Sequence, residues 1–163
     1  MSDYASREVP FSEVVMIDDL EQFLHIPVNS AERRNVLFTH TLNELGLKVS
    51  TGPVVDFRAK EYSLQEPSGE CAPLLYSHHF KDGTLTWPRQ HKKPNALVLN
   101  EVTRKSMFPR GWYVFTKRFS AKEENRRLVA YVLDPSFLNY EFYGVENHLN
   151  VFHIDKHGLD AKI

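Results

Sequence analysis

One short stretch, WYVFTKRFSAKEENRR, places three cations (Lys117, Arg118 and Lys122) around the hydroxyl of Ser120. In an extended chain, alternation sends Tyr113, Phe115, Lys117 and Phe119 to one face, and Trp112, Val114, Thr116 and Arg118 to the other. The cations and the hydroxyl then stand together where a strand gives way to a turn or helix start. Such a junction suits a phosphate diester, because cations, a hydroxyl and backbone N–H groups can share its oxygens. A plainer reading is compatible with this one: Ser120 caps a short helix, Glu123 completes a capping box, and the basic residues are solvated.

A second stretch, SHHFKDGTLTWPRQHKKPNA, carries side chains able to reach base edges: His78, His79, Arg89, Gln90, His91, Lys92, Lys93 and Asn95. Arginine pairs with guanine, and asparagine or glutamine with adenine, in the geometry of the major groove. Polar residues are common in surface loops, so this pattern alone is weak.

Other chemistries find less support. His148, His153 and His157 have spacings that invite a metal, but NVFHIDKHG reads as strand then turn, and there is no HExxH and no second cysteine. Asp56 and Lys60 in VVDFRAKEY are wrongly spaced for a nuclease pair, and no phosphate-cradling glycine loop or serine elbow is present. Cys71 lies in a loop-like PSGECAP run without an activating neighbour, and a single cysteine forms no internal disulfide.

Charge is strongly segregated. His78 to Arg127 holds 12 Lys/Arg against 4 Asp/Glu, while the other residues hold 8 against 17, so a net charge of −1 conceals a basic and an acidic portion. Aromatic residues interleave the basic portion, as in surfaces that meet phosphate-bearing partners. A charge run that is only a solvated face is the competing reading. The 163 residues allow one domain with a real core. With no apolar run long enough to span a bilayer and no signal-peptide core, a cytoplasmic protein is expected.

The elements that would position these residues follow from hydrophobic patterning. FSEVVMI (Phe11 to Ile17) reads as strand and DDLEQFLHI as helical turns. Asn29 or Ser30 caps a helix running to about Leu45, with Gly46 at the C′ position. Residues 1–46 thus form a helical lead-in or linker, and 47–163 an α+β domain. After LKVST and the Thr51-Gly52-Pro53 turn, VVDFR reads as strand. PLLYSHHF and TLTW form a hairpin about Asp82-Gly83. NALVLN is a strand and EVTRKSMF a short helix stopped by Pro109. WYVFTKRF, RLVAYVLD, EFYGVEN and NVFHI complete about seven strands. The expected fold class is α+β, a largely antiparallel sheet of short strands.

STGPVVDFRAKEY, LLYSHHFKDGTLTWP, KKPNA, WYVFTKRFSAKEENRR and GVENHLNVFH occur in this order. Together the strings resemble the target-recognition, post-catalytic region of bacterial restriction–modification adenine-N6 DNA methyltransferases of the type IIG and TaqI-like kind. The strongest are Lys117-Arg118-Phe119-Ser120 and Glu146-Asn147-His148-Leu149-Asn150, and the resemblance covers about Phe11 to Leu159. It implies that the chain binds double-stranded DNA beside a catalytic domain, in cis or in trans. The Asn-Pro-Pro-Tyr/Phe motif and glycine-rich loop of that domain are absent here. The expectation is an excised domain or truncated relative that is not catalytic and has no cofactor of its own. S-adenosylmethionine is implied only for the full-length parent. Expected DNA contacts are Arg58, Lys60, His78, His79, Arg89, Lys92, Lys93, Asn95, Lys117, Arg118, Ser120 and Lys122. Asn147, His148 and Asn150 could equally form a buried polar network. Two rivals remain open: a protein-docking module of a restriction–modification complex, and a small hydrolase or nuclease using His148, His153 or Asp56.

Overall fold

A computed structural model describes residues 8–15, 40–81, 84–120, 123 and 128–159. The chain divides into two compact units, residues 1–40 and 41–163. In the first, Phe11–Val14 forms one helical turn, α1, where alternation predicts a strand. The two helices expected between Asp18 and His40 lie outside the described residues.

The second unit opens with a closed turn. Thr41 and Glu44 cap one another, Thr41 N–H donating to Glu44 Oε2 at 2.7 Å and Glu44 N–H to Thr41 Oγ1 at 3.3 Å. Gly46 takes φ +67°, and Leu47 N–H reaches back to the Leu42 carbonyl at 2.8 Å. The C′ glycine is therefore where the sequence predicts it, in a Schellman arrangement. The expected helix does not continue through Thr41, because Thr41 starts a capped turn of its own.

Two sheets follow. In the first, β1 (Lys48–Thr51), β11 (Leu149–His153), β8 (Tyr113–Lys117) and β9 (Ala130–Leu133) lie in that order, all antiparallel. In the second the order is β2 (Ser63–Leu64), β6 (Ala96–Val98), β3 (Cys71–Leu75), β10 (Phe142–Val145) and β7 (Met107–Pro109). Its pairings are antiparallel except β3 with β10. A two-residue ladder, β4 (Phe80–Lys81) with β5 (Thr84–Leu85), stands apart. Pro109, which has no N–H to give, sits on the edge strand β7.

Alternation along the strands builds the core. Tyr113 and Phe115 of β8, Leu133 of β9, and Leu149 and Val151 of β11 pack against Leu75 of β3, Phe108 of β7, and Tyr143 and Val145 of β10. Leu74 of β3 turns to the other face, where it joins Val54, Ala72, Tyr76, Leu97 and Met107. That face is covered by Ala59 and Tyr62, from the helical turn α2 (Asp56–Ala59) and the 3₁₀ turn Lys60–Tyr62. The fold is thus α+β, two sheets and a short helical cover.

Two elements differ from their predicted form. VVDFR is not a strand: only Val54 makes a bridge, to Glu146, before α2 begins. EVTRKSMF is helical only over α3 (Glu101–Arg104). Asn100 Oδ1 caps it by accepting the N–H groups of Val102 and Thr103, both at 2.9 Å, and the chain then enters β7.

Candidate functional site

Strand direction gathers the basic residues. Leu75 pairs with Val145, Pro73 with Ala96, Thr51 with Asn150, and Lys117 with Leu149. Strands β1, β3, β8 and β10 therefore finish, and β6 and β11 begin, at one end of the two-sheet stack. The tight Glu146–His148 connection joins the sheets there. The segments holding Lys60, His78, His79, Arg89, Lys92, Lys93, Asn95, Lys117, Arg118, Ser120, Asn147, His148 and Asn150 lie at or leave from this end, whereas Arg58 lines a groove over the outer face of the second sheet with Leu97, Val102 and Thr103. Lys122 lies outside the described residues.

These residues do not share one environment. Arg58, Lys60, Lys92, Arg118 and His148 are exposed, as is His91. Arg89, Lys93, Lys117, Ser120, Asn147 and Asn150 are half-buried. His79 and Asn95 are interior, at 0% and 1% exposure. Asn95 Oδ1 accepts Arg89 N–H at 2.9 Å and lies 3.1 Å from His79 Nε2. Its Nδ2 donates to the carbonyls of Gln65 at 2.9 Å and Arg89 at 3.0 Å. Its backbone carbonyl accepts Trp87 Nε1–H at 2.7 Å and Leu74 N–H at 2.8 Å. His79 Nδ1 accepts Tyr76 N–H at 3.1 Å, which assigns the ring proton to Nε2. With every polar atom engaged, these two side chains hold the 87–95 loop instead of facing a ligand.

His78 bridges interior and surface. Its ring stacks on His91 at 4.0 Å between centroids and on Tyr76 at 5.3 Å, and its carbonyl accepts an Arg89 Nη1 hydrogen bond. Burial first, then the neighbouring histidines, Arg89 and Lys93, push the His78 pKa down to about 4, so this ring is uncharged near neutral pH. Lys93 pairs with Asp56 and lies over the Tyr76 ring at 5.7 Å. The same carboxylate accepts the Tyr76 hydroxyl at 2.7 Å. Burial, and then that bond, raise the Tyr76 pKa.

Across the parallel pair, Glu146 stands beside Tyr76, its N–H bonded to the Leu75 carbonyl at 3.0 Å. The Glu146 carboxylate is buried, accepts His148 N–H at 3.0 Å and pairs with His148 Nδ1. The His148 ring in turn meets the edge of Phe119 at 5.9 Å, and the Arg118 guanidinium covers Phe119 at 5.1 Å. Arg118 N–H donates to the His148 carbonyl at 2.9 Å, which ties the end of β8 to the hairpin. Two connected groups thus stand side by side, Arg118, Phe119, His148 and Glu146 in one and Tyr76, His78, His91 and Lys93 in the other, joined through the Glu146 N–H to Leu75 carbonyl bond.

Tyr76, Asp56, Gln65 and Phe57 belong to this region and were not expected in it. Gln65 Nε2 donates to the carbonyls of His91, at 2.5 Å, and Lys93, at 3.2 Å. The signal for Asp56 and Phe57 is the Gly52-Pro53 break, after which a helix start at an acidic residue was available. The other histidine candidates separate. His153 is buried at the far end of β11 from His148, with Nε2 3.0 Å from Ser50 Oγ and Nδ1 accepting Lys156 N–H at 3.1 Å. Among the described residues no three His, Cys, Asp or Glu side chains converge on a metal position. No described helix is long and apolar enough to cross a membrane.

The chain is similar to two Type II methyltransferases. It is 43% identical over 161 residues to M.BsuBI of Bacillus subtilis and 40% identical over 161 residues to M.PstI of Providencia stuartii. These matches cover 97% and 96% of this chain but 32% of each relative, so the chain spans about a third of the length of the curated relatives it matches. No protein-family model and no solved structure matches it.

Proposed function

We propose that residues 47–163 form the target-recognition domain of a restriction–modification adenine-N6 DNA methyltransferase, and that the loop-bearing end of the stack grips double-stranded DNA. The observation that carries this reading is the convergence of exposed cations and half-buried polar groups at that one end. Lys60, Lys92 and Arg118 supply charge to phosphates, with Lys117, Arg89 and Ser120 behind them and Arg58 flanking them on the outer face of the second sheet. His79 and Asn95 set the loop; His78, His91, Asn147 and His148 lie closer to base edges. Similarity to methyltransferases over nearly the whole chain supports the DNA substrate. In this reading the catalytic domain, with S-adenosylmethionine, occupies the two thirds of the relatives that this chain does not span, and the protein works in the cytoplasm.

The test is binding to a pool of random duplexes at several salt concentrations. Salt-dependent binding with enrichment of one sequence is expected. Changing Lys117 and Arg118 together to Ala should weaken binding and flatten the logarithmic salt slope by about 1.8, the yield of two phosphate contacts. Unchanged affinity and slope in that variant would remove this end of the stack as the DNA-binding face.

A further inference from the structure

The 87–95 loop uses most of its polar side chains to hold its own shape. Trp87 Nε1–H donates to the Asn95 carbonyl at 2.7 Å. The half-buried Arg89 guanidinium is taken by the His78 carbonyl, and Lys93 by the Asp56 carboxylate. The His91 ring stacks on His78, and its Nδ1 accepts Lys93 N–H at 3.2 Å, which leaves it one ring nitrogen. Asn95 is interior, with both side-chain polar atoms engaged. Two polar side chains of the loop remain, Gln90 and Lys92. Both are exposed, on either side of His91, and neither has a hydrogen bond, ion pair or ring contact among the described residues. The backbone around Gln90 is nevertheless fixed. Arg89 N–H, just before it, donates to Asn95 Oδ1 at 2.9 Å, and the His91 carbonyl, just after it, accepts from Gln65 Nε2.

We propose that Gln90 is a specificity-determining residue that reads the adenine of one A·T pair through the major groove, while Lys92 beside it takes a phosphate. This rests on the DNA-binding reading above and assigns part of its sequence selectivity. The major-groove edge of adenine sets an acceptor, N7, beside a donor, the N6 amino group. A primary amide carries a donor and an acceptor side by side and bonds both at once. The ammonium of Lys92 offers donors only, and His91 a single nitrogen, so neither matches that edge. Arg89, of the type that pairs with guanine, is held against the His78 carbonyl. A reader discriminates only when its backbone is held in place, because a loose loop lets the side chain follow the wrong base. The bonds on both sides of Gln90 supply that restraint and leave its amide unspent.

The test is sequence enrichment from a pool of random duplexes by the full chain and by three variants of it. The wild-type chain should enrich a site containing one A·T pair at which Q90A discriminates about tenfold less. The preferences at other positions and the salt slope should hold in that variant. Q90R should turn the preference at the same pair toward guanine, the base that arginine bonds through two acceptors. K92A should weaken binding to all sequences alike and flatten the logarithmic salt slope by about 0.9, the yield of one phosphate contact. Gln90 is exposed and makes no bond among the described residues, so its variants should fold normally. Unchanged preference at every position in Q90A, or a loss at a G·C pair, would overturn the assignment while leaving DNA binding intact. Salt-dependent binding by the wild-type chain without any enrichment would do the same. Absence of salt-dependent binding by the wild-type chain would remove both readings.

Discussion

The Nε2 atom of His79 lies 3.1 Å from Oδ1 of Asn95, and neither side chain reaches solvent. Through this pair the 3₁₀ turn at the end of β3 is fastened to the start of β6; Asn95 holds the intervening loop through Trp87 and Arg89, and ties it to the end of β2 through Gln65. Two residues of types that read bases therefore serve to shape the loop carrying Arg89, His91 and Lys92. Buried polar groups satisfied in this way specify one arrangement, since any slip leaves several of them unpaired.

His79 makes stability depend on pH. Burial, opposed by the Asn95 hydrogen bond and reinforced by Arg89 and His91, moves its pKa from 6.5 down to about 4. The folded value lies below the unfolded one, so the unfolded chain binds the extra proton between these values. Stability is complete above the unfolded pKa and drains as the pH falls from 6.5 toward 4. The shift corresponds to on the order of 3 kcal/mol. Urea unfolding at about pH 7 and about pH 5 should show a clear loss of stability at the lower value. A flat profile would mean that the imidazole is not held neutral inside the fold.

The strands were largely legible in the sequence, because one buried face imposes a period of two that Tyr113, Phe115, Leu149 and Val151 display openly. The sequence also shows that the basic stretch exists. It does not show that Asn95 and His79 are interior, because Asn95 is met by the chain returning at Leu64 and Gln65, some thirty residues away, and His79 is met by Asn95. Polar type suggests surface; only the tertiary partner decides. The same limit explains VVDFR. Val54, Val55 and Phe57 look like a strand, but no neighbouring strand is left to pair with Asp56 onward, and the segment folds over Leu97 and Met107 as a helical turn.

Gly52 should tolerate no side chain. It lies where the Thr51-Gly52-Pro53 turn crosses the end of β10, with its N–H donating to the Leu149 carbonyl at 2.8 Å. A Cβ there would stand 2.2 Å from the Glu146 carbonyl oxygen and 2.7 Å from that of Val145. These are backbone atoms, which cannot yield as a side-chain tip would. Gly52→Ala is expected to cost about 3 kcal/mol, read as a lowered urea midpoint at unchanged slope. A cost under about 0.5 kcal/mol would mean that the turn and the hairpin do not touch.

Asp56 restrains the charge of the DNA-facing end. One carboxylate oxygen accepts the Tyr76 hydroxyl, and the other pairs with Lys93, a cation beside the histidine column. Asp56→Asn keeps an acceptor for Tyr76 but removes the charge that neutralises Lys93. If this end meets phosphate, the variant should bind duplex DNA several-fold more tightly at low salt. Its logarithmic salt slope should steepen by about 0.9, the yield of one added phosphate contact. Weaker binding would instead mean that Asp56 positions Lys93 for its contact, and that the ion pair aids recognition. The slope separates these outcomes, because a mispositioned lysine loses its phosphate and makes the slope shallower, whereas a released one makes it steeper.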